Sequence, residues 1–176
     1  LSAGASHPEY VGKSITEISG LLHTDISDTV RQILLSSNAR VQCVYHNMSM
    51  DDVLNIMSRR DVSVISDGTA YDFSYYGGCP HPRNAGTFAR FFRLVREHSL
   101  MPIEDAVYKV TGLPASILGM GGRFGFIREG LDATLTIFDK DTISDHATYE
   151  DPAQASTGID YVIVNGEVVL SDGRIT

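Results

Sequence analysis

The carboxylate of Asp67 follows the short β-branched run Val62 to Ser66 and precedes Gly68, so it stands where a strand is expected to end and the chain to turn. Parallel α/β sheets and barrels gather their active sites at the carboxyl ends of their strands. A carboxylate there can bind a divalent metal and take a proton from water, while Gly68 lets the backbone leave the strand sharply. Ser-Asp-Gly after a strand is also simply turn chemistry, and local sequence alone favours that plainer reading. Further on, His81-Pro82-Arg83 fixes an arginine whose planar guanidinium suits bidentate capture of a carboxylate, although an isolated loop arginine is more often a solvated surface charge. Between them, Thr69 to Arg83 carries Tyr71, Phe73, Tyr75, Tyr76, Gly77, Gly78, Cys79 and Pro80. A loop of that length and content reads as a lid or pocket wall, or as a surface loop with buried aromatics.

The histidines are His7, His23, His46, His81, His98 and His146, and they form neither a His-x-His pair nor a His-Glu-x-x-His pattern. A catalytic zinc takes three or more protein ligands, so no complete metal site is legible. His98 near a helix C-terminus and His146 in a polar loop read as surface residues.

Alternating helices and strands would position these groups. Ile26, Val30, Ile33 and Leu34 share a helical face that Thr24 or Asp25 could cap, and Val41 to Tyr45 reads as a buried strand. Ser49 with Asp52 resembles a capping box before Met50, Val53, Leu54 and Met57 at helical spacing, and the strand Val62 to Ser66 follows. That order suggests βα units and a parallel sheet. Phe88, Phe91, Phe92 and Val95 mark another helix, as do Ile103, Ala106, Val107 and Val110 behind Pro102, a residue suited to the first helical position. Gly112 is expected to end that helix, and Leu113-Pro114 to begin a short one through Leu118, which Gly119, Gly121 and Gly122 stop. Beyond them strands predominate: Ala133 to Phe138 alternates, and Tyr161 to Val164 and Glu167 to Leu170 flank Asn165-Gly166, a strong hairpin signal. Ser171-Asp172-Gly173 makes a second turn.

Composition bounds the partners. A net charge of −8 argues against nucleic acid and anionic membrane surfaces, and no apolar run approaches the ~20 residues of a membrane span. Cys43 and Cys79 lie in dissimilar settings and suggest no disulfide framework, which fits a reducing, cytoplasmic location. The opening Leu1-Ser2-Ala3-Gly4 shows no initiator Met and no signal peptide, so a piece of a longer protein or a processed product is expected. The 176 residues cannot hold a complete barrel enzyme, which needs about 250.

Several segments in series carry a resemblance. Tyr10-Val11-Gly12-Lys13-Ser14 with Thr16-Glu17-Ile18, Val44-Tyr45-His46-Asn47-Met48-Ser49 with Asp51-Asp52-Val53, Ser66-Asp67-Gly68, His81-Pro82-Arg83 and Gly86-Thr87-Phe88 resemble, in order, landmarks of the D-aminoacylases and N-acyl-D-amino-acid deacylases of the amidohydrolase superfamily. Tyr149-Glu150-Asp151-Pro152 and Gly158-Ile159 resemble that branch's linker. Gly125-Phe126-Ile127, Gly130-Leu131-Asp132-Ala133, Phe138-Asp139 and Val164-Asn165-Gly166 look like its small β-sandwich, with Thr134 standing where the superfamily often has Asp.

The resemblance implies an α/β fold: the C-terminal βα units of a metal-dependent (β/α)8 barrel over residues 1–118, then strands of a composite β-sandwich over 119–176. It implies a zinc-dependent hydrolase of N-acyl-D-amino acids, with Asp67 as metal-associated general base and Arg83 as holder of the substrate's free carboxylate. The family's His-x-His pair, bridging Cys and two later histidines lie N-terminal to the region seen here, so most zinc ligands are expected outside this chain, which alone should be inactive. Neither His7 nor His46 is taken as a ligand, and His81 receives no role. A cyclic-amide hydrolase of the dihydroorotase or hydantoinase kind, or a non-catalytic assembly module, are the alternatives. Because strand edges and one face of Leu135, Ile137, Val162 and Val164 lack partners, a homo-oligomer is expected.

Overall fold

The computed structural model describes residues 3–4, 6–70 and 80–176. Two helices in contact with each other come first, α1 (Ile15–Leu22) and α2 (Ile26–Ser36). Ser14 starts α1 with a reciprocal capping box, its hydroxyl accepting from the Glu17 N–H while the Glu17 carboxylate accepts from the Ser14 N–H at 2.7 Å. Asp25 rather than Thr24 caps α2. Helix α3 (Met50–Ser58) begins at Ser49, whose hydroxyl accepts from the Asp52 N–H at 3.1 Å.

The core forms around α4 (Arg83–His98) and α5 (Ile103–Val110). Phe91 and Ala106 are fully buried where these helices meet, and Phe92, Val95 and Ile143 close the cluster. Pro102 occupies the N-cap of α5, one position earlier than expected. Gly112 does not end α5 but opens α6 (Gly112–Ile117); the break falls at Thr111, whose φ of −131° and ψ of −82° leave helical space.

Two strand expectations change. Only Val41–Gln42 forms β2, and it pairs antiparallel with β1 (Ala3–Gly4); Val62 to Ser66 joins no ladder, and all ladders among the described residues are antiparallel. A strand exists only through its neighbour, and this segment bonds to a helix instead: the Val64 N–H donates to the Lys109 carbonyl at 3.2 Å and the Ser63 hydroxyl to the same oxygen at 3.3 Å. The Lys109 side chain is itself buried, its ammonium donating to the Arg59 carbonyl, and burial pushes its pKa below the usual lysine range against the opposing pull of Asp61. One residue of α5 thus anchors the segment that leads to Asp67.

The C-terminal sheet is a meander, β3 (Leu135–Phe138), β4 (Ile159–Val164), β5 (Glu167–Ser171) and β6 (Arg174–Ile175), in that spatial order. Asn165 and Gly166, with φ of 51° and 86°, make the β4–β5 hairpin turn, as the dipeptide predicts. Thr134 takes a structural part, its hydroxyl accepting the Asn165 N–H at 3.2 Å. Phe138 ends β3 against Phe92 of α4 with ring centroids 4.8 Å apart, which ties the sheet to the helical core.

Between β3 and β4 the chain returns to α4 as a strap. Arg96 donates to the carbonyls of Lys140 and Ile143 at 3.1 and 3.0 Å, Arg93 Nε to the buried carboxylate of Asp145 at 2.8 Å, and the Ser156 hydroxyl to the Ala85 carbonyl at 3.0 Å. Gly158 closes the strap at a φ of +79°, where an added Cβ would lie 2.5 Å from the backbone of Ile143. Gly158→Ala adds both left-handed strain and a clash with immovable backbone, so it is expected to cost about 2–4 kcal/mol in denaturant unfolding. A midpoint unchanged from the parent would show that the strap does not require this close approach.

Candidate active site at Asp67 and Arg83

The site is assembled where the segment after Val64 meets the N-terminus of α4. Ser66 Oγ accepts the Gly68 N–H at 3.1 Å, which folds the chain back, and Asp67 sits in the left-handed region at a φ of +47°. Asp tolerates that region better than most residues, and functional sites are where such strain collects. Gly68 then packs against α4: a Cβ there would lie 3.1 Å from Asn84 Oδ1 and 3.3 Å from the Arg83 carbonyl. Asn84 Oδ1 also accepts the Thr69 N–H at 2.8 Å. The turn is therefore fastened to the first residues of α4.

That docking brings Asp67 Oδ2 to 3.0 Å from Arg83 Nη1. The Asp67 side chain remains 80% exposed and that of Arg83 43%, so both polar ends stay open to an incoming small molecule. Arg83 is the first residue of α4 behind Pro82, and its N–H donates to His81 Nδ1 at 3.1 Å. His81 Nε2 lies 3.5 Å from the Tyr149 hydroxyl. Burial pushes the His81 imidazole below the usual histidine range, and the charges of Arg83 and Arg90 act in the same direction, with Asp67 opposing.

The strap delivers Tyr149 to this place. Its ring stands edge-on to His81 at 5.2 Å and to His46 at 4.8 Å. The sequence marks Tyr149 only as part of a linker and gives His81 and Asn84 no role, because no local pattern marks a contact made across so many residues. The aromatic and glycine residues Tyr71, Phe73, Tyr75, Tyr76, Gly77, Gly78 and Cys79 lie outside the described residues.

The other histidines lie elsewhere or serve other contacts. His7 bonds to Glu9 and to Ser36 Oγ and stacks on Tyr10, His23 takes the left-handed C-cap of α1, exposed His98 ends α4, and exposed His146 meets Thr157 Oγ1 at 2.9 Å. Among the described residues no three His, Cys, Asp or Glu side chains converge to hold a metal ion. Asp67 offers one open oxygen donor, so these residues do not by themselves fit a closed zinc site. No helix among the described residues is long and apolar enough to cross a membrane.

Residues 54–170 match the model of the amidohydrolase family. The chain is 37% identical over 165 residues to the N-acyl-D-glutamate deacylase of Alcaligenes xylosoxydans xylosoxydans, covering 93% of this chain and 32% of that protein. It superimposes on the N-acyl-D-glutamate deacylase of Bordetella bronchiseptica, solved with zinc and a phosphonate mimic of the reaction's tetrahedral intermediate, with a TM-score of 0.84 and 34% identity over 99% of this chain and 35% of that one. A D-aminoacylase with a binuclear metal centre gives a TM-score of 0.83 at 32% identity, with the same coverage of 99% and 35%. The chain thus spans about a third of the length of these relatives.

Proposed function

The chain belongs to the amidohydrolase family, and on that premise we propose that the full-length protein hydrolyses the amide bond of N-acyl-D-amino acids to a carboxylate and a D-amino acid. One observation carries the reading: Asp67 Oδ2 and Arg83 Nη1 lie 3.0 Å apart at an open site. In an N-acyl amino acid the scissile nitrogen and the free carboxylate are attached to the same carbon. A proton-transfer group and an anion receptor for such a substrate must therefore be close neighbours. The deacylase activities of the relatives support the same reading.

Asp67 takes the proton of the attacking water and returns it to the departing nitrogen, so one carboxylate serves both halves of the reaction. Arg83 holds the α-carboxylate through the donors it does not give to Asp67. A zinc ion, when bound, supplies Lewis acidity toward the carbonyl and acidifies water. Asp67 would be one of its ligands, and the others would come from polypeptide outside these residues, as would cover for exposed Ile65, Ile127 and Ile175. A second copy of the chain is the other candidate cover, as a homo-oligomer.

The test is turnover. Full-length, zinc-loaded protein is expected to release free amine from N-acetyl-D-amino acids in preference to their L-enantiomers. This chain expressed alone is expected to release none and to retain no stoichiometric zinc after dialysis. Preference for the L-series would overturn the substrate assignment, and tightly held zinc in the isolated chain would overturn the division of ligands.

A further inference from the structure

Helix α4 starts without the usual cap. Its N-cap is Pro82, which offers no side-chain acceptor and makes no side-chain cap bond. The exposed N–H of Arg83 is taken instead by His81 Nδ1 at 3.1 Å. An Nδ1 that accepts leaves the proton on Nε2, which faces the Tyr149 hydroxyl at 3.5 Å. Tyr149 also fixes the ring from the side, edge-on to His81 and to His46.

Tyr149 is itself held. It lies in a turn closed by the Thr148 N–H on the Asp151 carbonyl at 3.0 Å and by the Asp151 N–H on Thr148 Oγ1 at 3.0 Å. The strap on either side is pinned to α4 through Arg93–Asp145 and through Ser156 on the Ala85 carbonyl. A rigid support thus runs from α4, through the strap and Tyr149, to His81 and back to the backbone of Arg83.

We propose that His81 and Tyr149 are positioning residues for Arg83, setting the place of its guanidinium for a substrate carboxylate. The inference rests on the deacylase reading and deepens it. His81 replaces the missing cap and fixes the backbone from which the Arg83 side chain reaches Asp67; Tyr149 prevents the imidazole from turning away. Neither residue enters the proton transfers, so their loss falls on binding of the charged group and not on the chemical step.

The experiment uses the full-length, zinc-loaded protein and compares an N-acetyl-D-amino acid with its primary amide, which keeps the scissile bond and lacks the anionic carboxylate. His81→Ala is expected to raise KM for the acid about tenfold with kcat nearly unchanged and the amide little affected, the scale of one lost hydrogen bond acting on placement. His81→Asn, whose Oδ1 can stand where Nδ1 accepts, is expected to restore most of the loss. Tyr149→Ala is expected to raise KM for the acid several-fold. Equal losses on acid and amide, or no rescue by His81→Asn over His81→Ala, would overturn the inference while parent turnover leaves the deacylase reading standing. Failure of the parent to turn over either substrate would bring down that reading and this inference with it.

Discussion

Asp67→Asn in the full-length protein is expected to lower kcat by about a thousandfold or more, the upper part of the range for loss of a general acid–base group, with the fold unchanged. Asn has the same shape and is among the few residues that accept the left-handed φ of +47° found here, so the turn onto Gly68 and Asn84 survives. What disappears is the ability to take a proton from water. The ion pair to Arg83 disappears too, but with the carboxylate 80% exposed its contribution to stability is small. Asp67→Ala removes the same chemistry and places a residue less tolerant of the left-handed conformation in the turn, so it should lose stability as well as activity. Turnover measured beside circular dichroism and a melting curve separates the two. An Asn variant that works at near-parental rate would remove Asp67 from the proton transfers.

Local physics explains which parts of this molecule are legible in its sequence. The Ser49 cap of α3, the apolar spacing of α5 and the Asn165-Gly166 turn are decided within a few residues, and the structure places each where the spacing predicts. The reciprocal bonds of Ser14 and Glu17 are equally local, and that four-residue pattern fixes the start of α1. Val62 to Ser66 differs because a ladder requires a partner, and the nearest partner to Val64 is the carbonyl of Lys109 on a helix. In the candidate site, Asp67 and Arg83 are legible one by one, as a carboxylate before a glycine and an arginine at the end of a loop; that Arg83 opens α4 is not, because the apolar spacing of that helix begins only at Phe88. Their meeting depends on Gly68 fitting against Asn84, a residue sixteen positions further along the chain (84 − 68). Tyr149 was legible only as part of a linker, because its approach to His81 depends on the strap bonds from Arg93 and Arg96.

Arg83→Lys is expected to reduce kcat/KM for N-acyl-D-amino acids by about 10- to 100-fold, the scale of one or two lost charge-assisted hydrogen bonds, while the corresponding primary amides change by less than about threefold. A guanidinium carries five donors in a plane, so Nη1 can stay on Asp67 Oδ2 at 3.0 Å while other N–H groups face the substrate. An ammonium at the end of a flexible stem keeps the charge and loses the fork, and it must divide itself between Asp67 and the incoming carboxylate. Placed nearer Asp67 it leaves the substrate unheld; placed nearer the substrate it leaves the carboxylate of Asp67 without its neighbour. Either way the loss is expected in KM for acids, and kcat at saturation should fall less, because on the proposed mechanism Asp67 still takes and returns the proton. The side chain is 43% exposed and makes an open ion pair, so the melting temperature should hardly move. Steady-state kinetics on paired acid and amide substrates decides the matter: equal losses on both would mean that Arg83 supports the turn at Asp67 and does not receive the carboxylate.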